Sequence, residues 1–411
     1  MHIKIRLFCL ALALCLCQAA CSRQAVDPTT QVTTQAATET TVAVTAEATT
    51  EAAEIANYNV LESTEPIRNI ILIIGDGMGL KHIQAGQLYD GKAYAFTTWP
   101  MVRINTQALD ESGALSEAFP DSVAASTAMA TGVNTANEFV GRSIDGADLQ
   151  TILDVASALG KSTGVVTTDY LFNGTPAGYT AHANARNDRM DILETQLTSG
   201  VNLLCGSLHE ACTIMAQQIR ENGYAYCDSY DGLSTTFDSE KAYWQLPIGG
   251  NDAQLGLPEV SLEALRYLDQ NDAGFVLVIE EAHIDKYCHH QSFLDMCVSV
   301  SSLNKTVEAV MNWLGDRTDT AVLVTADHET GSLQISEDPG KYEDTLTTAD
   351  GASQDISYMF RTPNHTITNV ALYTYGFTAD FTRSELYSKK ALKNTGIYYL
   401  MAELLTTGQE D

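Results

Sequence analysis

Four stretches of this chain are apolar and largely β-branched along their whole length, and each stops on polar residues. They are NIILIIG (69–75), STGVVTT (162–168), GFVLVIE (274–280) and TAVLVTA (320–326). A strand with one face in water alternates apolar and polar side chains. A run without alternation belongs to a strand covered on both faces, the usual condition of a parallel sheet between helices. Helical spacing fills the intervals at 148–159, 260–271 and 292–314. The pattern predicts an α/β fold with a mostly parallel central β-sheet flanked by helices on both faces. Segment 200–256, richer in Gly, Tyr, Asp and Ser, and the polar, acidic segment 331–357 read as insertions over the sheet edge.

The polar residues at the ends of these runs share a position. Asp76 follows the first run, Thr167 and Asp169 close the second, Glu280 ends the third, and Asp327 with His328 follows the fourth. Ligands of open α/β sheets bind beyond the carboxyl ends of the strands, so four chain-distant segments are expected to deliver these groups to one edge.

The amino-terminal part has a different character. Residues 1–20 carry Lys4 and Arg6 ahead of LFCLALALCLC, the charged start and short apolar run of a signal peptide, too short for a stable membrane span. QAAC then sets Ala19 and Ala20 before Cys21, which resembles a bacterial lipobox, with Gln18 where an apolar residue is usual. Two outcomes stand: a lipid on Cys21, or ordinary cleavage and release. Residues 21–60, mostly Thr, Ala, Glu, Gln and Val, cannot bury enough apolar surface to offset ordering and read as a disordered stalk. The folded domain is then 61–411, extracytoplasmic, and held to the membrane only through the lipid or else secreted. That compartment permits disulfides. Five cysteines, Cys205, Cys212, Cys227, Cys288 and Cys297, cannot all pair internally, and the first three form the favoured cluster.

Charge narrows the function. Lys and Arg number 23 against 52 Asp and Glu, a formal charge of −29. Such a chain repels nucleic-acid backbones and anionic membrane surfaces alike. An anionic substrate would need local attraction from bound metals or a few placed arginines.

Several motifs offer such a site. GDGMG (75–79) puts Asp76 between glycines that allow close approach to the backbone. DKYCH (285–289) spaces Asp285 and His289 four apart, on one side of a helix, as a two-ligand pair. TADHE (325–329) sets Asp327 beside His328 where a buried strand ends, and NHT (364–366) offers His365. FPDSVAASTAMATG (119–132) places Ser122 at the start of a small-residue helix. There Asp121 or Ser122 serves as a cap, or Ser122 as a nucleophile where free N–H groups favour alkoxide and phosphate. In TPAGYTAHANAR (175–186), Thr175 and Arg186 bracket a short polar helix, and Arg186 has the fork that grips two phosphate oxygens.

Read in chain order over about residues 67–376, these motifs resemble the alkaline phosphatase family. The resemblance implies hydrolysis of small phosphate monoesters, with Ser122 as the nucleophile that becomes a phosphoserine and Arg186 as the phosphate clamp. It implies two Zn2+ ions, one on Asp285, His289 and His365 and one on Asp76, Asp327 and His328. A third ion, Mg2+, would bind Asp76, Thr175 and Glu280. Lys286 matches members with a lysine near the phosphate. Asn173 stands where well-studied bacterial members often have Asp or His, which leaves the third metal with one negative charge fewer nearby. A homodimer is also expected from the resemblance. The rivals are a phosphodiesterase of the same superfamily, for which a threonine nucleophile and no arginine clamp would be typical, and a lipoprotein that binds phosphate or metal without turnover. A sulfatase would need a maturation signal that DSVAAST lacks.

Overall fold

The computed structural model describes residues 67–110, 112–249, 254–336, 346–351, 353–354, 356–376 and 391–406. The expected signal peptide, Cys21 and the stalk lie outside the described residues. Eleven helices and sixteen strands follow one another in chain order among them. The first half contains β1 (Asn69–Gly75), α1 (Leu80–Asp90), β2 (Met101–Asn105), α2 (Ser122–Thr131), α3 (Ile152–Ala158), β3 (Ser162–Thr167), α4 (Gly174–Thr180), α5 (Arg189–Thr198), β4 (Leu203–Ser207), α6 (Glu210–Ile214), α7 (Ala216–Glu221), β5 (Tyr224–Cys227) and β6 (Lys241–Leu246). The second half contains α8 (Leu257–Leu268), β7 (Phe275–Glu281), α9 (His283–His289), α10 (Phe293–Leu314), β8 (Thr320–Thr325), β9 (Glu329–Thr330), β10 (Gln334–Ser336), β11 (Leu346–Thr347), β12 (Ser353–Gln354), β13 (Ser357–Met359), β14 (His365–Thr366), β15 (Val370–Tyr375), β16 (Ala391–Lys393) and α11 (Thr395–Thr406).

Ten strands form one sheet in the order β16-β2-β15-β8-β1-β7-β3-β4-β6-β5. Only β15 runs against its neighbours; every other pairing is parallel. Every residue of β1, β7 and β8 is buried, as unalternating Ile, Val and Leu require when helices cover both faces. The register lines up the strand ends. Ile74 lies opposite Glu280 and Thr325, and Thr167 also lies opposite Glu280. Asp76, Asp169, Glu280 and Asp327 therefore leave the sheet at one level.

Helices α1, α8 and α10 pack into one group and α2, α3, α4 and α11 into another. Amphipathic spacing is clearest in the first group at α8, which buries Leu257, Val260, Ala264, Leu265 and Leu268. Small residues make the second. All ten residues of α2 (SVAASTAMAT) are buried, and α4 lies so close that a Cβ on Gly178 would sit 2.2 Å from Ser126 Oγ. That contact brings the start of α4 beside Ser122.

The structure corrects two expectations. Segment 200–256 is not an insertion over the sheet edge: it supplies β4, β5 and β6, which extend that edge. Its strands are only four to six residues long, with the short helices α6 and α7 between β4 and β5 and the Asp- and Ser-rich stretch 228–240 between β5 and β6, which concealed them in composition. In segment 331–357, by contrast, the described strands belong to two-stranded ribbons outside the main sheet. The five cysteines are free and buried, so the favoured cluster forms no disulfide. Cys205 and Cys227 both pair in register with Trp244 from opposite sides, which puts them two strand spacings apart, roughly 10 Å and beyond disulfide reach. Among the described residues no helix is long and apolar enough to cross a membrane.

Candidate active site

The first group of candidate ligands is built by α9 and β14. One helical turn sets Asp285 and His289 on the same side, and the two-residue β9–β14 ladder brings in His365. His289 Nε2 lies 3.1 Å from Asp285 Oδ2 and 3.1 Å from His365 Nε2, which is 3.4 Å from Asp285 Oδ1. The far ring nitrogens face carbonyls: His289 Nδ1 is 2.5 Å from Pro363 O and His365 Nδ1 is 2.7 Å from Pro120 O. A carbonyl only accepts, so each Nδ1 carries a proton, which leaves Nε2 as the nitrogen that can bind a metal or, when protonated in the metal-free chain, donate to Asp285. Outer oxygens that fix a histidine in this tautomer are the usual setting of a metal ligand.

The second group sits at the ends of β1 and β8. Asp327 Oδ1 accepts from the backbone N–H of Gly77 at 3.0 Å and of His328 at 2.9 Å. Gly77 has φ 73°, and a Cβ there would meet Thr330 Oγ1 at 2.8 Å and Asp285 Cα at 2.9 Å, so the chain needs glycine on both counts. His328 Nε2 is 3.1 Å from Asp327 Oδ2, 3.6 Å from Asp76 Oδ1 and 3.1 Å from Ser122 Oγ. Asp76 Oδ1 and Asp327 Oδ2 are buried without a hydrogen-bond partner. Burial, followed by the charges of Asp327, Asp285 and Glu280, holds the Asp76 carboxyl well above its ordinary value. Asp327 is pushed up to about 6, chiefly by burial.

Beside them lies an all-oxygen set. Glu280 accepts from the Thr167 hydroxyl, and Thr175 Oγ1 is buried without a hydrogen-bond partner. Burial and the charge of Asp169 push Glu280 up to about 8. Buried carboxylates this crowded, with unpartnered oxygens between them, fit a cluster of cations. The nitrogen-and-carboxylate groups suit zinc, and Thr175 with Glu280 suits magnesium.

The nucleophile candidate is the first residue of α2. Asp121 is the cap: its Oδ1 accepts from Ala124 N at 2.8 Å, which leaves the Ser122 hydroxyl free to face His328. Arg186 Nη1 lies 3.4 Å from Asp121 Oδ2, with about a third of its side chain exposed, so the guanidinium is tethered beside Ser122 and still open to solvent. Lys286 and Asn173 do not stand free. Both are tied to Asp169, which bonds Lys286 Nζ at 2.5 Å and Asn173 Nδ2 at 2.6 Å. Sequence reasoning placed Asp169 at a strand end but not in the site. Its signal was its position in TTDY, four residues before the neutral Asn173, where it restores a carboxylate to this neighbourhood.

The crowding has a measurable consequence. In the metal-free folded chain Glu280 keeps its proton to about pH 8, whereas its ordinary value is 4.5, so the folded state binds more protons between these values. Stability must then fall as pH rises through that window. His289 and His365 add in the same direction, since hydrogen bonding to Asp285 raises both, in His365 against burial. His328 is lowered by burial and opposes the trend only below its ordinary 6.5. Metal-free protein is expected to lose on the order of 2 kcal/mol between about pH 6.5 and 8.5, and added divalent cation to restore it. Urea midpoints at the two pH values check this; equal midpoints would refute the crowding.

Comparison with known proteins finds a family, curated relatives and solved structures to which this chain is similar. The sequence profile of the alkaline phosphatase family matches residues 67–219 and 241–395. Alkaline phosphatase 4 of Bacillus subtilis strain 168 is 27% identical over 290 residues, 66% of this chain and 63% of that protein, so this chain spans less than two thirds of that relative. Escherichia coli K12 alkaline phosphatase is 27% identical over 369 residues, 72% of this chain and 78% of that one. A variant of the alkaline phosphatase from the Antarctic bacterium TAB5, solved with magnesium in its M3 site, superposes with TM-score 0.69 at 20% identity, over 84% of this chain and 99% of that one.

Proposed function

The chain belongs to the alkaline phosphatase family, and from that premise we propose that it hydrolyses phosphate monoesters to an alcohol and inorganic phosphate through a phosphoserine at Ser122. The observation that carries the proposal is Ser122 Oγ, at the first turn of α2 and 3.1 Å from His328 Nε2, facing one of two Asp/His groups. Asp285, His289 and His365 would hold one zinc, Asp76, Asp327 and His328 a second, and Asp76, Thr175 and Glu280 a magnesium. Bound there, the ions supply positive charge that favours ionised oxygen nucleophiles at neutral pH and offsets charge on the phosphoryl group. The likeness to a TAB5 enzyme with magnesium in its M3 site supports the third assignment.

The chain's own groups divide the remaining work. Ser122 Oγ gives up its proton to solvent and bonds to phosphorus as the bond to the leaving oxygen breaks, and that oxygen takes a proton from solvent. Water then attacks phosphorus, the Oγ–P bond breaks, and Ser122 recovers its proton. The N–H groups opening α2 face the anion, and Asp121 holds Arg186 where its fork can span two non-bridging oxygens. A monoester offers that fork a spare terminal oxygen, which a diester lacks.

Rates on p-nitrophenyl phosphate and bis-p-nitrophenyl phosphate, with zinc and magnesium present, test the reading. Monoester turnover is expected to exceed diester turnover by about 10²-fold or more, on the scale of a lost charge-assisted clamp. A preference for the diester would make the protein a phosphodiesterase, and no turnover of either would leave a binding protein.

A further inference from the structure

Each of the three candidate-ligand histidines turns one ring nitrogen to a carboxylate group and the other to an oxygen. For His289 and His365 that oxygen is a backbone carbonyl. For His328 it is a hydroxyl, Thr330 Oγ1, 3.3 Å from Nδ1. Thr330 is buried at the centre of the site. Its N–H donates to Gly77 O at 3.1 Å, and it pairs with His365 across the β9–β14 ladder. The same Oγ1 lies 2.5 Å from Asp285 Oδ1. Thr330 thus touches one member of each group.

The carboxylate sets the direction of this chain of hydrogen bonds. Ionised Asp285 can only accept, so the Thr330 hydroxyl donates to it. The hydroxyl oxygen then has only lone pairs left for His328, whose Nδ1 must be the donor. Nε2 is left bare, facing Asp76, Asp327 and Ser122.

We infer that Thr330 is a positioning residue that couples the two metal groups: the chain His328–Thr330–Asp285 selects the metal-ready tautomer of His328 and orients Asp285, so that filling either group favours filling the other. The inference rests on the two-metal reading above.

Zinc binding by the full chain tests it. The protein is freed of metal with a chelator and titrated with Zn2+ by equilibrium dialysis, as wild type, Thr330→Ser and Thr330→Val. Wild type and Thr330→Ser are expected to bind two zinc ions cooperatively. Thr330→Val, which keeps the shape and loses the hydroxyl, is expected to bind about 10- to 100-fold more weakly, with the two sites independent. A residue acting only through packing would give the reverse ranking, with valine harmless and serine damaging. If the valine variant loses its fold, Thr330→Ala removes the hydroxyl without adding volume and carries the same comparison. Wild-type affinity and cooperativity in the variant lacking the hydroxyl would overturn the inference and leave the metal reading standing. A wild-type chain that binds no zinc would overturn the metal reading and the inference with it.

Discussion

Ser122→Ala is expected to slow hydrolysis of p-nitrophenyl phosphate by about 10³-fold or more, because it removes the only atom proposed to accept the phosphoryl group. The loss should be catalytic rather than structural. Asp121, not Ser122, caps α2 by accepting from Ala124 N, its other oxygen accepts from Glu138 N in the loop beyond the helix, and alanine is a better helix former than serine. The two groups of candidate ligands also survive the change, so zinc binding should persist. Residual activity would come from direct attack of water on the bound ester, and that route has a distinct signature. Wild type passes its phosphoryl group through serine and so should hand part of it to an added alcohol such as ethanolamine; the alanine variant, lacking the covalent stage, should not. A variant that hydrolyses at the wild-type rate, or still transfers to alcohol, would sink the phosphoserine mechanism.

How much of this was legible beforehand depends on how locally each feature is encoded. The central strands were legible because β1, β3, β7 and β8 lack alternation, and strands of that kind have few other places to go. Asp285 and His289 were legible because a single helical turn relates them, and Ser122 because Asp121 and a small-residue run announce a helix start. His365 is different: NHT offered it as a candidate, but only the family resemblance placed it with Asp285 and His289. Only the two-residue β9–β14 ladder sets it against Thr330 and beside His289, and no local pattern encodes such a long-range pairing. The same holds for Asp169, whose bonds to Lys286 and Asn173 arise from three segments meeting, and for Thr330, which in sequence is merely a threonine after DHE. Cysteine spacing misled because β5 and β4 sit on either side of β6, an order that chain position does not reveal.

Asp76→Asn is expected to push stability and activity in opposite directions. Without metal, the Asp76 carboxyl is buried against Asp327, Asp285 and Glu280, with one oxygen unpartnered and its pKa well above the ordinary value, chiefly through burial. The unfolded chain ionises it freely, so its presence weighs more heavily on the folded state as pH rises. An amide of the same shape carries no charge, and its NH2 can donate to Asp327 Oδ2, which has no partner. At about pH 8 the metal-free variant should therefore gain about 1–2 kcal/mol, a rise of roughly 2–6 °C in melting temperature. With zinc and magnesium added the ranking should invert. A neutral amide is a poorer ligand than a carboxylate, and Asp76 is the residue proposed to serve both the second zinc and the magnesium. Losing several kcal/mol of charge stabilisation there corresponds to a fall in turnover of about 10³-fold. Melting curves with chelator and with metal, beside rates on p-nitrophenyl phosphate, separate the two effects. An aspartate kept for its structural contacts would lose stability in both conditions, and metal-free Asp76→Asn protein that melts below wild type would rule out the crowded-carboxylate account of this site.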